Sequence, residues 1–128
     1  MNTRIIKTDQ APAAIGPYSQ AVRIGNMLYT AGQIALDPRS GEFLSGEIEQ
    51  ETERTLENIS AILKADELSL NNVVKTTVYL TDLSHFARMN QIYEKYFSEN
   101  KPARACVQVA ALPKGAKVEI EAIAFATA

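Results

Sequence analysis

Two alternating strands near the end of the chain constrain its fold more than any other part of the sequence. The first, residues 101–109, begins with Pro102, which cannot donate to a sheet ladder and therefore belongs at a strand start or a sheet edge. The second, residues 117–125, places small and β-branched residues on one face and mainly charged residues on the other. Residues 113–116 lie between them, a common length for a hairpin connection. The sequence therefore predicts an antiparallel hairpin.

The predicted hairpin register brings several reactive side chains onto one surface. It pairs Gln108 with Glu121, so that Arg104 and Cys106 share a sheet face with Glu119. The result is one polar surface with a planar guanidinium, a thiol and two carboxylates. Ordinary structural roles stay open for each group. Arg104 can pair with a cross-strand carboxylate, Cys106 can be a small buried residue, and the two glutamates can form a solvated face.

Periodicity in the earlier part of the chain predicts four more strands and two helices. Gly25 and Asn26 form a two-residue hairpin turn, since both residue types accept positive φ. Gly32, after the second strand of that hairpin, predicts a bend or a close backbone approach. The predicted elements are strands at 4–6, 20–24, 27–31 and 73–81, a helix at 49–65, and a second helix, capped by Asp82 or Ser84, with an apolar stripe from Phe86 to Phe97.

The order β-β-β-α-β-α-β-β over residues 1–128 predicts a single α+β domain, a mixed sheet with two helices on one face. The other face is not purely polar, because the predicted register places Ile123, Phe125 and Ala110 on it. An apolar patch on an uncovered face indicates a protein partner, and the simplest partner is another copy of the same chain. The pattern therefore predicts a homo-oligomer but not its stoichiometry.

Composition and charge argue against several function classes. The 128 residues carry 13 basic and 15 acidic side chains, and this net charge of −2 disfavours general nucleic-acid binding, which needs a basic stripe. The single cysteine, Cys106, and the single histidine, His85, offer neither a disulfide nor metal-ligand spacing, and nothing places them together as a catalytic dyad. No nucleotide-binding glycine motif is present. With no secretory signal and no stretch that could span a bilayer, we expect a cytoplasmic protein without a membrane partner.

Five short motifs stand in one order along nearly the whole chain: AIGPYSQA at 14–21, AGQI at 31–34, KPARACV at 101–107, ALPK at 111–114 and VEIEAIA at 118–124. Together they resemble the reactive intermediate deaminase (Rid) family and, within it, the RidA group. The resemblance implies a chorismate-mutase-like fold and a homotrimer with sites between neighbouring subunits. It also implies hydrolysis of 2-iminopropanoate and 2-iminobutanoate, unstable products of pyridoxal-phosphate enzymes, to 2-oxo acids and ammonia, with no cofactor beyond water.

The resemblance also implies roles for single residues. Arg104 matches the arginine that holds the substrate carboxylate, a task that a planar guanidinium performs bidentately. Glu119 matches the glutamate thought to hold the attacking water. Cys106 matches the position whose backbone N–H faces the substrate. Other positions that line the pocket are matched by Tyr18, Gly32 and Asn90.

The chain departs from the common family pattern at three positions. Ala31 and Ala105 stand where many members have serine, and Gln108 stands where many have glutamate. Without a hydroxyl at Ala31 the pocket loses one polar contact, which leaves the substrate range open. Three other function classes also stay open: a regulatory trimer that binds 2-oxo acids without turnover, an RNA-directed or translation-inhibiting activity, and a chaperone-like protein. The first is the main rival, because carboxylate capture and catalysis share Arg104.

Overall fold

Residues 2–127, the part of the chain that the structure describes, form a mixed six-stranded sheet with two helices on one face in this computed structural model. The elements are β1 (Thr3–Ile6), β2 (Ala21–Ile24), β3 (Met27–Thr30), α1 (Ile48–Lys64), β4 (Val73–Leu80), α2 (Phe86–Tyr96), β5 (Ala103–Gln108) and β6 (Val118–Phe125). Short 3₁₀ turns lie at Leu70–Asn72, Leu83–His85 and Pro113–Gly115. This succession confirms the predicted order of strands and helices and the α+β class.

The strands lie side by side in the order β1-β2-β3-β6-β4-β5. At the centre β6 pairs antiparallel with both β3 and β4, while β5 pairs parallel with β4 at one edge. The parallel pair is joined through α2, the kind of long crossover that parallel pairing requires. The side chains of β4 are alternately buried, as in a central strand, whereas those of β5 are mostly exposed, as at an edge.

The predicted hairpin between the last two strands is wrong. Gln108 pairs with Leu80 of β4 rather than with Glu121, and Glu121 pairs with Thr77, also of β4. The apolar strand β4 therefore lies between β5 and β6 and is hydrogen-bonded on both sides. A β5–β6 hairpin would leave one edge of β4 without a partner, and unpaired backbone groups are costly when buried. The segment Pro113–Gly115 forms a 3₁₀ turn instead of a hairpin loop.

The predicted hairpin near the N-terminus is confirmed. Ile24 of β2 pairs with Met27 of β3 around Gly25, whose φ of +55° is one that glycine adopts without a steric penalty. Beyond β3 the chain stays against the sheet, because Gln33 exchanges both backbone hydrogen bonds with Ile120 of β6, at 2.8 and 3.1 Å. This bridge brings the segment after β3 alongside the middle of β6.

The two helices cover the sheet face that carries the small and branched residues of β6. The predicted buried stripe of α1 is confirmed: Thr52, Leu56, Ile59, Ile62 and Leu63 are all buried. In α2, Met89, Tyr93 and Phe97 at its C-cap are buried as predicted. Asp82 caps the 3₁₀ turn before α2, where its carboxylate accepts the Ser84 N–H at 2.9 Å, rather than capping α2 itself. Truncating a fully buried leucine such as Leu56 to alanine typically costs about 2–5 kcal/mol.

A buried carboxylate in α1 anchors the start of β6. Glu51 is fully buried, and its side chain accepts the backbone N–H of Lys117 at 2.8 Å and the Lys117 ammonium at 3.3 Å. The same ammonium donates to the carbonyl of Gly46 at 2.9 Å. A buried charge needs such partners. They hold the chain firmly two residues before Glu119.

The sheet face away from the helices carries exposed apolar side chains, as predicted for Phe125, which is 41% exposed. Tyr29 of β3 and Val107 of β5 add to this surface. Ala110 does not belong to it, because it lies in the loop after β5, and the hairpin register that placed it there is wrong. Among residues 2–127 no helix is both long and apolar enough to cross a membrane.

Candidate active site

Arg104 lies on the edge strand β5 and points to the helix side of the sheet, since it pairs with the buried Thr76 of β4. Its guanidinium carbon is 5.1 Å from the ring centroid of Phe86 and 4.8 Å from that of Tyr93, both on or near the inner side of α2. Its Nη1 donates to Oδ1 of Asn90 at 2.6 Å. Two aromatic rings and one amide therefore orient the guanidinium fork.

No carboxylate neutralises this guanidinium within the described chain. Arg4, Arg23 and Arg88 all form ion pairs with aspartate or glutamate, but none of the ion pairs among residues 2–127 includes Arg104. The cross-strand carboxylate partner considered for Arg104 is therefore not there. The remaining donors of the fork face a groove of about 610 Å³ beside α2 and are available to an anion.

Asn90 links the arginine to the rest of α2. While its Oδ1 accepts from Arg104, its Nδ2 donates to Oε1 of Glu94 at 3.3 Å. The two contacts assign the amide its orientation, because only the oxygen can accept from a guanidinium. The predicted pocket residue Asn90 thus contacts Arg104 directly.

Cys106 lies beside Arg104 on β5, level with Val78 of β4, and its thiol is half-buried. Burial raises the pKa of the thiol, and the positive charge of Arg104 only partly opposes this. A thiol in such surroundings stays protonated near neutral pH, so it is a poor nucleophile.

The backbone N–H of Cys106 points to the free edge of the sheet. The N–H of Val109 donates to the carbonyl of Leu80 in β4 at 2.8 Å. Successive N–H groups of a strand point in opposite directions, so the N–H of Cys106, three residues earlier, points away from β4. This donor lies on the same strand as the Arg104 side chain, and no strand among residues 2–127 pairs with that edge of β5.

Glu119 lies on β6 and points to the face that the helices leave open, where it is partly buried. Burial raises the pKa of its carboxyl group, and the negative charge of Glu121 raises it further. A carboxylate with a raised pKa is a stronger base than an ordinary glutamate. Glu119 therefore accepts a proton more readily than an ordinary glutamate and, once protonated, can return it.

Gly32 packs directly on the Glu119 carboxylate. A Cβ built at Gly32 would lie 2.9 Å from Cδ of Glu119 and would collide with Oε2. The predicted close backbone approach at this glycine is confirmed. Gly32, Glu119 and Tyr18, which is 55% exposed, line a recess of about 360 Å³ together with Ile15, Ile34 and Lys114.

The structure separates the predicted site residues into two groups on opposite faces of the sheet. The arginine patch contains Asn90, Arg104 and Cys106, together with Phe86 and Tyr93, whose rings the structure places against Arg104. The glutamate patch contains Tyr18, Gly32 and Glu119. The cavities beside the two patches share no lining residue. The single polar surface predicted to join Arg104, Cys106 and Glu119 is therefore wrong, because that prediction depended on the incorrect hairpin.

The register gives the scale of the separation. Glu119 pairs with Tyr79 of β4, and Tyr79 pairs on its other side with Val107 of β5. Arg104 lies three residues before Val107 on β5. Two strand spacings and three residues of rise place the two Cα atoms about 14 Å apart, with the sheet between their side chains. A ligand of a few atoms cannot contact both side chains of one chain.

The aromatic rings below Arg104 were not identified from the sequence. Phe86 and Tyr93 fit the apolar stripe of α2, and a stripe at helical spacing is typical of core packing. Tyr93 has both roles: its hydroxyl lies 2.7 Å from Oγ1 of the buried Thr76 in the core, and its ring supports Arg104.

Within the described residues no group of His, Cys, Asp and Glu side chains is arranged to hold a metal ion.

Comparison with known proteins decides the family. The sequence profile described as endoribonuclease L-PSP matches residues 8–126. The chain belongs to this family, the Rid family. Within the Rid family, it is 53% identical over 125 residues to a RutC family protein of Pyrococcus abyssi, covering 98% of each chain. It is also 53% identical over 122 residues to human 2-iminobutanoate/2-iminopropanoate deaminase, covering 95% of this chain and 89% of the human protein.

Solved structures also match the fold. The Rid family protein YyfA from Yersinia pestis superposes with a TM-score of 0.94 at 43% identity, covering 97% of this chain and 99% of YyfA. Escherichia coli TdcF with bound serine superposes with a TM-score of 0.91 at 46% identity, covering 97% of this chain and 99% of TdcF. This agreement confirms the predicted Rid-type fold.

Proposed function

We propose that this Rid protein hydrolyses 2-imino acids, among them 2-iminopropanoate and 2-iminobutanoate, to 2-oxo acids and ammonia. The observation that carries the proposal is the guanidinium of Arg104, which is oriented by Asn90 and two aromatic rings and has no carboxylate partner among residues 2–127. Such a fork suits a small carboxylate ligand. The names of the human relative, an imine deaminase, and of TdcF with bound serine point to the same ligand class.

The working unit in this proposal is a homotrimer with each pocket between two subunits. One chain cannot bring Arg104 and Glu119 to the same small ligand, because the sheet lies between them. A second copy can place its glutamate patch against the arginine patch of the first. The exposed apolar side chains on the open sheet face, such as Phe125 and Tyr29, supply surface that such an assembly would bury.

Substrate capture uses the arginine patch. Arg104 binds the carboxylate of the imino acid through the guanidinium donors that Asn90 leaves available. The outward backbone N–H of Cys106 provides a further donor beside it. This grip fixes the position of the imine carbon, which is bonded directly to the carboxylate carbon, and so orients it for attack.

Hydrolysis uses the glutamate patch of the neighbouring subunit. Glu119 accepts a proton from water as the water oxygen bonds to the imine carbon, and the C=N electron pair moves to nitrogen, which takes up a proton from solvent. The carboxyl group of Glu119 then gives its proton to the nitrogen of the resulting carbinolamine. The hydroxyl group releases its proton to solvent as the carbonyl forms, the C–N bond breaks and ammonia leaves. Water is the only co-reactant.

The test is ammonia release from an imino acid made in the assay by an amino acid oxidase. The protein should accelerate conversion of 2-iminobutanoate to 2-oxobutanoate well above the spontaneous rate, and Arg104→Ala should abolish the acceleration. Parental protein that binds 2-oxobutanoate without accelerating imine hydrolysis would refute the enzyme proposal and support a regulatory binding protein. A parallel incubation with RNA tests the activity that the family description names, and cleavage of RNA without imine hydrolysis would also refute the proposal.

A further inference from the structure

Gln20 holds together the part of the chain that builds the glutamate patch. Its side chain is buried, with 3% of its surface exposed, at the junction of the loop 8–18 and β2. Its Oε1 accepts the backbone N–H of Thr8 at 2.7 Å. Its Nε2 donates to the carbonyls of Pro12 at 2.7 Å, Thr8 at 3.0 Å and Ala11 at 3.3 Å.

These contacts replace the secondary structure that the loop lacks. Residues 8–18 contain neither helix nor strand, so their backbone groups need other partners. One carboxamide supplies partners to both ends of the segment 8–12, and it lies only two residues after Tyr18 in sequence. Tyr18 lies on the stretch between Pro12, which the Gln20 side chain holds, and Gln20 itself, so Gln20 fixes both ends of that stretch.

The backbone of Gln20 reaches the other half of the patch. Its carbonyl accepts the N–H of Ala31 at 2.8 Å, immediately before Gly32, the residue that packs on the Glu119 carboxylate. Gln20 thus connects the loop that carries Tyr18 with the bend that carries Gly32. It lines the recess around Glu119 from inside the fold, with almost none of its surface accessible.

We propose that Gln20 is a positioning residue for imine hydrolysis: it sets Tyr18 and Gly32 around Glu119 without contacting the substrate. This inference rests on the proposed deaminase function. A merely structural Gln20 would lower stability when replaced but leave the folded protein's turnover unchanged. A positioning Gln20 lowers turnover in protein that is fully folded.

The test uses two replacements and one matched control. Gln20→Leu keeps the size of the side chain and removes all four hydrogen bonds, while Gln20→Glu keeps the acceptor for Thr8 and loses the donors to three carbonyls. Gln10→Leu is the control. Gln10 lies on the same loop, but its exposed side chain donates to the carboxylate of Asp9, and it lines neither the groove beside Arg104 nor the recess around Glu119. Far-ultraviolet circular dichroism and the midpoint of urea unfolding identify folded protein, and kinetics are compared well below that midpoint.

The expected result is a loss of kcat with little change in ligand capture. A displacement of about 1 Å at a reacting centre can cost on the order of a hundredfold, so Gln20→Leu should lower kcat roughly 10- to 100-fold. The dissociation constant for 2-oxobutanoate, which Arg104 governs, should change less than about threefold, and Gln10→Leu should match the parent. Equal kcat for folded Gln20→Leu and the parent would overturn the proposal.

A double-mutant cycle separates positioning from general weakening. If Gln20 acts through Tyr18, adding Gln20→Leu to Tyr18→Ala should lower kcat by much less than it does in the parent. If Gln20→Leu lowers kcat by the same factor in Tyr18→Ala as in the parent, Gln20 does not act through Tyr18.

Amide hydrogen exchange gives a readout that does not depend on any activity. Gln20→Leu should accelerate exchange in the segment 8–18, whose backbone the Gln20 side chain holds, while β4 and α1 keep their protection. If Gln20→Leu does not fold, the same measurement on Gln20→Glu decides the question. Unchanged exchange in the segment 8–18 would refute the anchoring role even if the protein proved not to be a deaminase.

Discussion

Replacing Arg104 with lysine tests the carboxylate grip most directly. Lysine keeps the positive charge but loses the planar fork, so it cannot donate to Asn90 and to both oxygens of a carboxylate in the same geometry. It also loses the flat surface that stacks on Phe86 and Tyr93. The prediction is therefore weaker binding of 2-oxobutanoate although the net charge of the protein is unchanged.

The magnitude follows from the hydrogen bonds that are lost. A hydrogen bond to a charged group contributes about 1.5–3 kcal/mol, and each 1.4 kcal/mol corresponds to a tenfold change in affinity. Arg104→Lys loses one of the two hydrogen bonds to the ligand carboxylate, which should weaken 2-oxobutanoate binding roughly 10- to 150-fold. Arg104→Ala should weaken binding at least as much. In both variants the free energy of unfolding should change by less than about 2 kcal/mol, because Arg104 is exposed on an edge strand and forms no ion pair among residues 2–127.

The assay is calorimetric titration of 2-oxobutanoate into the parent and each variant, with imine-hydrolysis rates measured on the same preparations. Arg39→Lys is the matched control, because Arg39 is an exposed arginine in a turn and lines neither the groove beside Arg104 nor the recess around Glu119. It should bind like the parent. If Arg104→Ala binds 2-oxobutanoate as tightly as the parent, the carboxylate is held elsewhere and the reasoning about the open fork is wrong.

Four further predictions address the assembly, Cys106, Glu119 and the neighbouring Glu121. Light scattering at micromolar concentration should report about three times the 14.0 kDa chain mass, and a stable monomer would refute a site shared between subunits. Cys106→Ala should keep most of the activity, since the raised pKa leaves the thiol protonated and only the backbone N–H is required; complete loss in a folded variant would make the thiol a reactant. Glu119→Gln should lower turnover while 2-oxobutanoate binding is nearly unchanged, and a parental rate would make Glu119 structural. Because burial and Glu121 raise the pKa of Glu119, the parental rate should fall as pH drops through that raised pKa, and Glu121→Gln should move this fall to lower pH; an unmoved pH profile would show that Glu121 does not act on Glu119.

Several features of the fold follow from local sequence because their causes are local. The two-residue turn at Gly25 needs a residue that accepts positive φ, and the pattern of β6 assigns its apolar residues to the core and Glu119 to the open face. The close approach at Gly32 also follows from the side chain that glycine lacks. The same reasoning predicted the buried stripe of α1 from the helical repeat.

The partner of β5 was decided only by tertiary structure. A four-residue gap is compatible with a hairpin, but strand pairing is a choice among distant segments, and the apolar strand β4 gains two ladders by lying between β5 and β6. That choice turns Arg104 to the helix side, where α2 supplies Asn90, Phe86 and Tyr93. The alternation along each strand could be predicted from the sequence, because neighbouring side chains always point to opposite faces. Which faces coincide depends on how separate strands pack, and that is why Arg104 and Glu119 lie on opposite sides of one sheet.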